Sequence, residues 1–114
     1  MAEETFKASA YLLSGCPFSF KYLLFMSEAG LLDQIQVVRC DPQDPEFERI
    51  KQRLREATGR DVTFPTVEVE PDRFLSDSDA LIEYYARRHE VDVESLTALS
   101  FYKESIFPQL AALH

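Results

Sequence analysis

The sequence predicts an α/β domain with the element order β-α-β-α-β-β-α, a mixed four-stranded sheet and a C-terminal helical tail. Short alternating or β-branched apolar runs predict the strands, and apolar residues at three- and four-residue spacing predict the helices between them. Proline, glycine and aspartate stand between these segments and favour turns there. We expect residues 1–90 to form the α/β domain and residues 91–114 to form the helical extension.

The first third of the chain predicts a strand, a helix and a second strand. Residues 5–13 alternate and then become continuously apolar, which is typical of a strand that ends buried. Pro17 suits the first turn of a helix, so residues 18–32 are expected to form a well-buried helix with Gly30 near its end. Residues 35–40 are a β-branched run and predict the second strand.

The middle of the chain predicts a second helix and a hairpin. Residues 47–57 place apolar side chains at helical spacing, and Gly59 favours a stop after them. Residues 66–70 alternate strictly, which predicts a strand with one wet face. After a Pro-Asp turn, residues 73–75 would form a short partner strand.

The last part of the chain predicts helices. Ser76 and Asp79 have the spacing of a capping box, so the next helix is expected to begin there and to run to about His89. Residues 93–114 repeat apolar residues at helical steps and are interrupted by Pro108, which predicts one or two further helices.

The topology predicts where a ligand would bind. A right-handed crossover makes the first two strands parallel, so their C-terminal ends meet at one edge of the sheet. Ligands of open α/β sheets bind at such edges. Cys16 and Cys40 both follow or end these strands, so the edge is expected to carry both thiols.

The composition fits one soluble globular domain and disfavours two kinds of partner. A length of 114 residues, 46% apolar and 28% charged, suffices for one core. The net charge of −8 argues against a nucleic-acid partner, because phosphate binding needs clustered lysine and arginine. No apolar run approaches the roughly 20 residues of a membrane helix, and the acidic N-terminus is unlike a signal peptide. Two cysteines are too few for a disulfide scaffold, which favours a cytoplasmic location.

Three short motifs lie at predicted strand ends and helix starts. They are Cys16-Pro17-Phe18-Ser19, Thr63-Phe64-Pro65-Thr66 and Asp77-Ser78-Asp79. In this order and at this spacing the chain resembles a thioredoxin-like domain of the glutaredoxin kind. It is more similar still to the N-terminal domain of glutathione transferases that use a cysteine. The resemblance covers roughly residues 5–90 and implies a thioredoxin-like fold that binds glutathione.

Cys16 is the candidate nucleophile. Unpaired N–H groups and the helix dipole favour a thiolate at a helix N-terminus, and a thiolate attacks disulfides. The alternative is a small buried side chain that fills a gap. Ser19 occupies the position of the second cysteine in the two-thiol motif, so a Cys-x-x-Cys cycle is excluded and a one-thiol mechanism remains. Cys40 could resolve the mixed disulfide instead, but a structural cysteine at the strand end is favoured, because a bridge needs Cα atoms within about 7 Å.

The resemblance implies that the other motifs hold glutathione together with Pro17 and Phe18. A cis bond before Pro65 would let Phe64 offer its backbone to the cysteinyl part of the ligand, whereas a trans proline at a strand start is the alternative. Phe64 is larger than the residue most relatives have there.

Asp77-Ser78, or Ser78-Asp79 in the glutaredoxin register, would hold the γ-glutamyl end, with simple helix capping as the alternative. His89 and His114 are too isolated for a metal site or a triad.

The sequence therefore predicts a small glutathione-dependent thiol oxidoreductase or transferase, with glutathione as co-substrate and mixed disulfides as partners. Two alternatives stay open. The first is a non-enzymatic binding or dimerisation module, since the tail is rich in apolar residues and suits a homodimer seam. The second is an iron–sulfur carrier ligated by glutathione, which Pro17 disfavours. Of the helical domain that completes a typical glutathione transferase, we expect these residues to contain only the tail.

Overall fold

The computed structural model describes residues 6–114 and contains the predicted mixed four-stranded sheet. Its strands are β1 (Ala8–Leu13), β2 (Ile35–Cys40), β3 (Thr66–Glu70) and β4 (Arg73–Leu75). The strand order is β2-β1-β3-β4, with β1 parallel to β2 and the other two pairs antiparallel. The first strand begins at Ala8 rather than at residue 5, which lies outside the described residues.

Three helices follow the strands in the predicted order. They are α1 (Pro17–Glu28), α2 (Phe47–Thr58) and α3 (Ser78–His89). The prediction that the first helix extends to residue 32 is wrong. Gly30 adopts a left-handed φ of 75°, and the N–H of Leu31 donates to the carbonyl of Met26 at 2.8 Å, which closes the helix earlier.

The start of α3 differs from the predicted capping box. The N-cap is Asp77, whose carboxylate accepts the N–H of Asp79 at 3.0 Å. Ser76 does not cap the helix, because its hydroxyl lies 3.2 Å from the hydroxyl of Thr66 on β3. The helix therefore begins one residue later than a cap at Ser76 would place it.

The main core lies between the sheet, α1 and α3. Alternate residues of β1, namely Ala8, Ala10 and Leu12, are buried, and they share one cluster with side chains of both helices. Leu99 from the C-terminal segment is fully buried in the same cluster. Burial of these apolar side chains is the principal source of stability for such a layer.

The C-terminal segment is helical and packs on α1. It consists of α4 (Thr97–Phe101), a π-helical turn (Tyr102–Ile106) and α5 (Phe107–Leu113). Pro108 lies in the first turn of α5, at the predicted interruption. The carboxylate of Glu28, the last residue of α1, accepts the backbone N–H groups of Ala98 and Leu99 at 2.9 and 2.8 Å. Within residues 6–114, no helix combines the length and the hydropathy needed to span a membrane.

Candidate active site

Cys16 lies at the N-terminus of α1, where the sequence places it. Gly15 has a φ of 78°, which turns the chain from β1 into the helix, and Cys16 is the N-cap with φ −94° and ψ 120°. Its sulfur accepts the N–H of Ser19 at 3.5 Å. A sulfur in this position takes the place of the hydroxyl or carboxylate oxygen that usually caps a helix.

Ser19 stabilises the turn and brings no second thiol. Its side chain is buried, and its hydroxyl accepts the backbone N–H of Leu13 at 3.0 Å. This bond joins the first turn of α1 to the end of β1. Ser19 therefore fixes the helix against the strand that precedes Cys16.

The peptide bond between Phe64 and Pro65 is cis, as predicted, and it lies beside Cys16. The Cys16 sulfur is 3.9 Å from the carbonyl oxygen of Phe64, a long contact in which a protonated thiol would donate. The Phe64 ring stacks on Phe47 of α2, with centroids 6.2 Å apart and planes at 25°. The large side chain thus packs against α2.

The third motif lies at the start of α3 and is linked to α1. Ser78 is buried, whereas the Asp79 side chain is 73% exposed. The ammonium of Lys21 on α1 donates to the Asp79 carboxylate at 2.9 Å, and the Lys21 side chain is only 5% exposed. Sequence reasoning missed Lys21. The sequence did contain a signal for it, since Lys21 is a single charged residue in an apolar helical stretch. A lysine that is buried in such a helix needs a partner for its charge.

The aromatic residue of the first motif packs against the C-terminal segment. The ring of Phe18 meets Phe107 of α5 edge to face, with centroids 5.0 Å apart and planes at 88°. Pro17 is buried in the first helical turn. The structure thus places Pro17 and Phe18 next to the thiol, and it directs the Phe18 ring toward α5.

Tyr102 is a second residue that sequence reasoning did not assign to the site. Its hydroxyl donates to the carbonyl oxygen of Pro17 at 2.7 Å, and the side chain is buried. Burial, and to a lesser extent the nearby Cys16, raises the pKa of Tyr102 above its ordinary value, so the hydroxyl stays protonated as a donor. Its only sequence signal was an apolar pattern in the tail.

An apolar groove of about 480 Å³ opens beside the thiol. Its lining includes Cys16, Phe20, Leu23, Val37, Tyr102 and Leu110. Arg39 also lines the groove, and its guanidinium donates to the hydroxyl of Ser14 at 3.1 Å. The groove can accept an apolar group next to the sulfur.

Cys40 lies at the same edge of the sheet but is held as a buried thiol. It pairs with Leu13 in the parallel register, and its carbonyl accepts the N–H of Ser14 at 2.8 Å. Burial raises the pKa of Cys40 to about 11, so the group is neutral at physiological pH. Cys16 and Cys40 are both free thiols.

Within residues 6–114, no three His, Cys, Asp or Glu side chains cluster to hold a metal ion.

Comparison with protein families identifies the chain. The family model described as "Glutathione S-transferase, N-terminal domain" matches residues 15–88. This chain belongs to that family. The matched region of the transferase N-terminal domain contains all three motifs, from Cys16 to Asp79, and excludes the segment that supplies Tyr102 and Phe107.

Solved structures show the same fold over most of the chain. A possible glutathione S-transferase from Rhodopseudomonas palustris matches with a TM-score of 0.54 and 19% identity, covering 93% of this chain and 56% of that one. A glutathione transferase homolog from Sulfitobacter, solved with bound glutathione, matches with a TM-score of 0.50 and 21% identity, covering 88% and 50%. This chain therefore spans about half the length of these proteins. No curated protein sequence matches it.

Proposed function

We propose that this protein is a one-thiol, glutathione-dependent oxidoreductase or transferase with Cys16 as the nucleophile. The observation that carries the proposal is the position of the Cys16 sulfur. It caps α1 by accepting the N–H of Ser19 at 3.5 Å, and it lies 3.9 Å from the carbonyl oxygen of Phe64, the residue before the cis proline. Family membership and the neighbour solved with bound glutathione support glutathione as the co-substrate.

The proposed ligand contacts follow from the three motifs. The backbone of Phe64, next to Pro65, pairs with the cysteinyl part of glutathione in a strand-like manner. The N-terminus of α3 at Ser78 receives the α-carboxylate of the γ-glutamyl end, and the Asp77 carboxylate receives its α-ammonium. The first turn of α1, with Pro17 and Phe18, lies alongside the glutathione sulfur. The apolar groove beside the thiol takes the group to which glutathione was joined.

The proposed reaction is exchange through one mixed disulfide. The Cys16 thiolate attacks the glutathione sulfur of a substrate mixed disulfide, the substrate leaves as a thiolate and takes a proton, and Cys16 becomes glutathionylated. A second glutathione thiolate attacks the same glutathione sulfur, which releases oxidised glutathione and restores the Cys16 thiolate. Ser19 cannot form an internal disulfide, so glutathione itself must resolve the intermediate.

Mass spectrometry after incubation with oxidised glutathione tests this proposal. We expect one glutathione adduct on Cys16, which reduced glutathione then removes. Cys40→Ser is the matched control and should keep the adduct, whereas Cys16→Ser should lose both the adduct and turnover of a mixed-disulfide substrate. An adduct on Cys40 alone, or turnover that persists without Cys16, would contradict the proposal.

A second candidate function is a binding or dimerisation module without catalysis. The observation that favours it is the exposed apolar surface of the C-terminal segment, where Phe101 is 63% and Leu113 is 86% exposed. Light scattering after size exclusion, together with calorimetry against glutathione, separates the two functions. A stable oligomer that binds no glutathione would favour the module.

A further inference from the structure

Lys21 is a buried lysine that connects the two helices of the proposed glutathione site. It lies on α1, five residues after Cys16, and its side chain is 5% exposed. Its ammonium reaches Oδ1 of Asp79 on α3 at 2.9 Å. Because burial of an ammonium is unfavourable without a partner, this ion pair constrains where the start of α3 lies relative to α1.

Two aromatic rings enclose the same ammonium. Its nitrogen lies 4.3 Å from the ring centroid of Phe107 and 5.9 Å from that of Phe18. A cation over an aromatic face is attracted by the ring quadrupole, more strongly when water is excluded. Lys21 is therefore held from three directions, by α1, by α3 and by α5, and its ammonium has little freedom to move.

The ion pair also distinguishes the two carboxylates at the start of α3. The Asp79 carboxylate binds Lys21, whereas the Asp77 carboxylate accepts the backbone N–H of Asp79. An α-ammonium of a ligand would have to compete with a fixed, buried cation for Asp79. Within residues 6–114, no basic side chain forms an ion pair with Asp77.

We propose that Lys21 is a positioning residue. Through its ion pair with Asp79, it fixes Asp77 and Ser78 at the start of α3 relative to Cys16, and it leaves the Asp77 carboxylate to bind the α-ammonium of the ligand. This inference rests on the proposed function. In this proposal Lys21 acts through Asp79 and makes no contact of its own with the ligand. Its effect is on the affinity for the γ-glutamyl part of glutathione rather than on the chemical step.

The test compares two ligands that differ only in the γ-glutamyl group. Calorimetry measures the Kd of glutathione and of cysteinylglycine for the full chain and for Lys21→Met. We expect the Kd of glutathione to rise roughly fivefold to tenfold, at the low end of typical coupling between sites, with the Kd of cysteinylglycine unchanged. Lys21→Arg keeps the ion pair and should restore the wild-type ratio. Lys103→Met, on the exposed surface of the π-helical turn, is the matched control.

The outcomes separate a failure of the proposed function from a failure of the role proposed for Lys21. If wild-type protein binds no glutathione, the proposed function fails and this inference fails with it. If wild-type protein binds but Lys21→Met binds glutathione equally well, or more tightly because Asp79 is released to the ligand, only the inference fails. Equal weakening for both ligands would show a general structural role and also overturns it. Should Lys21→Met not fold, Asp79→Ala removes the same ion pair from its exposed side and must show the same selective loss.

Discussion

Glu28 acts as a helix cap from a distant part of the sequence, and its removal tests how the C-terminal segment is held. α4 begins after Leu96, which has no side chain able to cap it. The Glu28 carboxylate instead accepts the N–H groups of Ala98 and Leu99, at the positions that a local cap would serve. Its negative charge also faces the positive end of the helix dipole.

We expect Glu28→Ala to lower the free energy of unfolding by about 1–2 kcal/mol. Loss of an N-cap costs about 1 kcal/mol, and a hydrogen bond to a charged group contributes about 1.5–3 kcal/mol, reduced here because Glu28 is partly exposed. This is a considerable share of the roughly 5–15 kcal/mol that stabilises a domain. Glu28→Gln keeps an acceptor without the charge and should lie between wild type and Glu28→Ala.

Urea denaturation followed by circular dichroism measures this loss. The matched control is Glu83→Ala, which removes an exposed pair with Arg87 at 3.3 Å on α3. Exposed pairs of this kind contribute no more than about 0.5 kcal/mol. A loss in Glu28→Ala no larger than that in Glu83→Ala would refute the capping role.

Three further substitutions test buried polar groups. Tyr102→Phe leaves the Pro17 carbonyl without its 2.7 Å donor, and urea denaturation should show a loss of about 1–2 kcal/mol; an unchanged midpoint would contradict this. Tyr22→Phe removes a buried hydroxyl that makes no hydrogen bond of normal distance and angle within residues 6–114, so stability should stay equal or rise by up to about 1 kcal/mol; a clear loss, as from a bond to the neighbouring Tyr85, would contradict this. The pKa of Cys40 is about 11 when folded against an ordinary 9.0, so the folded state keeps a proton that the unfolded state loses. The free energy of unfolding of the wild type, compared with that of Cys40→Ala, should therefore be highest below pH 9 and should fall by about 2–3 kcal/mol as the pH rises to 11. Parallel pH profiles of the two proteins would contradict the shift.

The strands were predictable because their signals are local. The bounds of β2, β3 and β4 agree with the alternating and β-branched runs in the sequence. The start of α3 was misjudged because it depends on a contact that no local pattern contains, whereas the early end of α1 follows from the local turn at Gly30. The hydroxyl of Ser76 pairs with Thr66 on a neighbouring strand, so the cap moves to Asp77.

The position of each motif at a strand end or a helix start was predictable, whereas the contacts that fix the motifs were not. Short motifs identify Cys16, the cis proline and the start of α3, because each has a distinct residue type at a strand end or helix start. The contact between Lys21 and Asp79 spans 58 positions, and the contact between Tyr102 and Pro17 spans 85. Pairing over such separations is set by the packing of helices and not by spacing along the chain.

The contacts that fix the motifs converge on α1, the helix that Cys16 caps. Ser19 joins it to β1, Lys21 joins it to α3, and Glu28 and Tyr102 join it to the C-terminal segment. The family match ends at residue 88, and Tyr102 lies beyond it. The Tyr102 hydroxyl nevertheless donates to the carbonyl of Pro17, the residue that follows Cys16. A thiol site needs its sulfur held to within about 0.5 Å, because small displacements of a nucleophile cost rate steeply. The C-terminal segment therefore helps to hold the backbone beside Cys16, the proposed nucleophile.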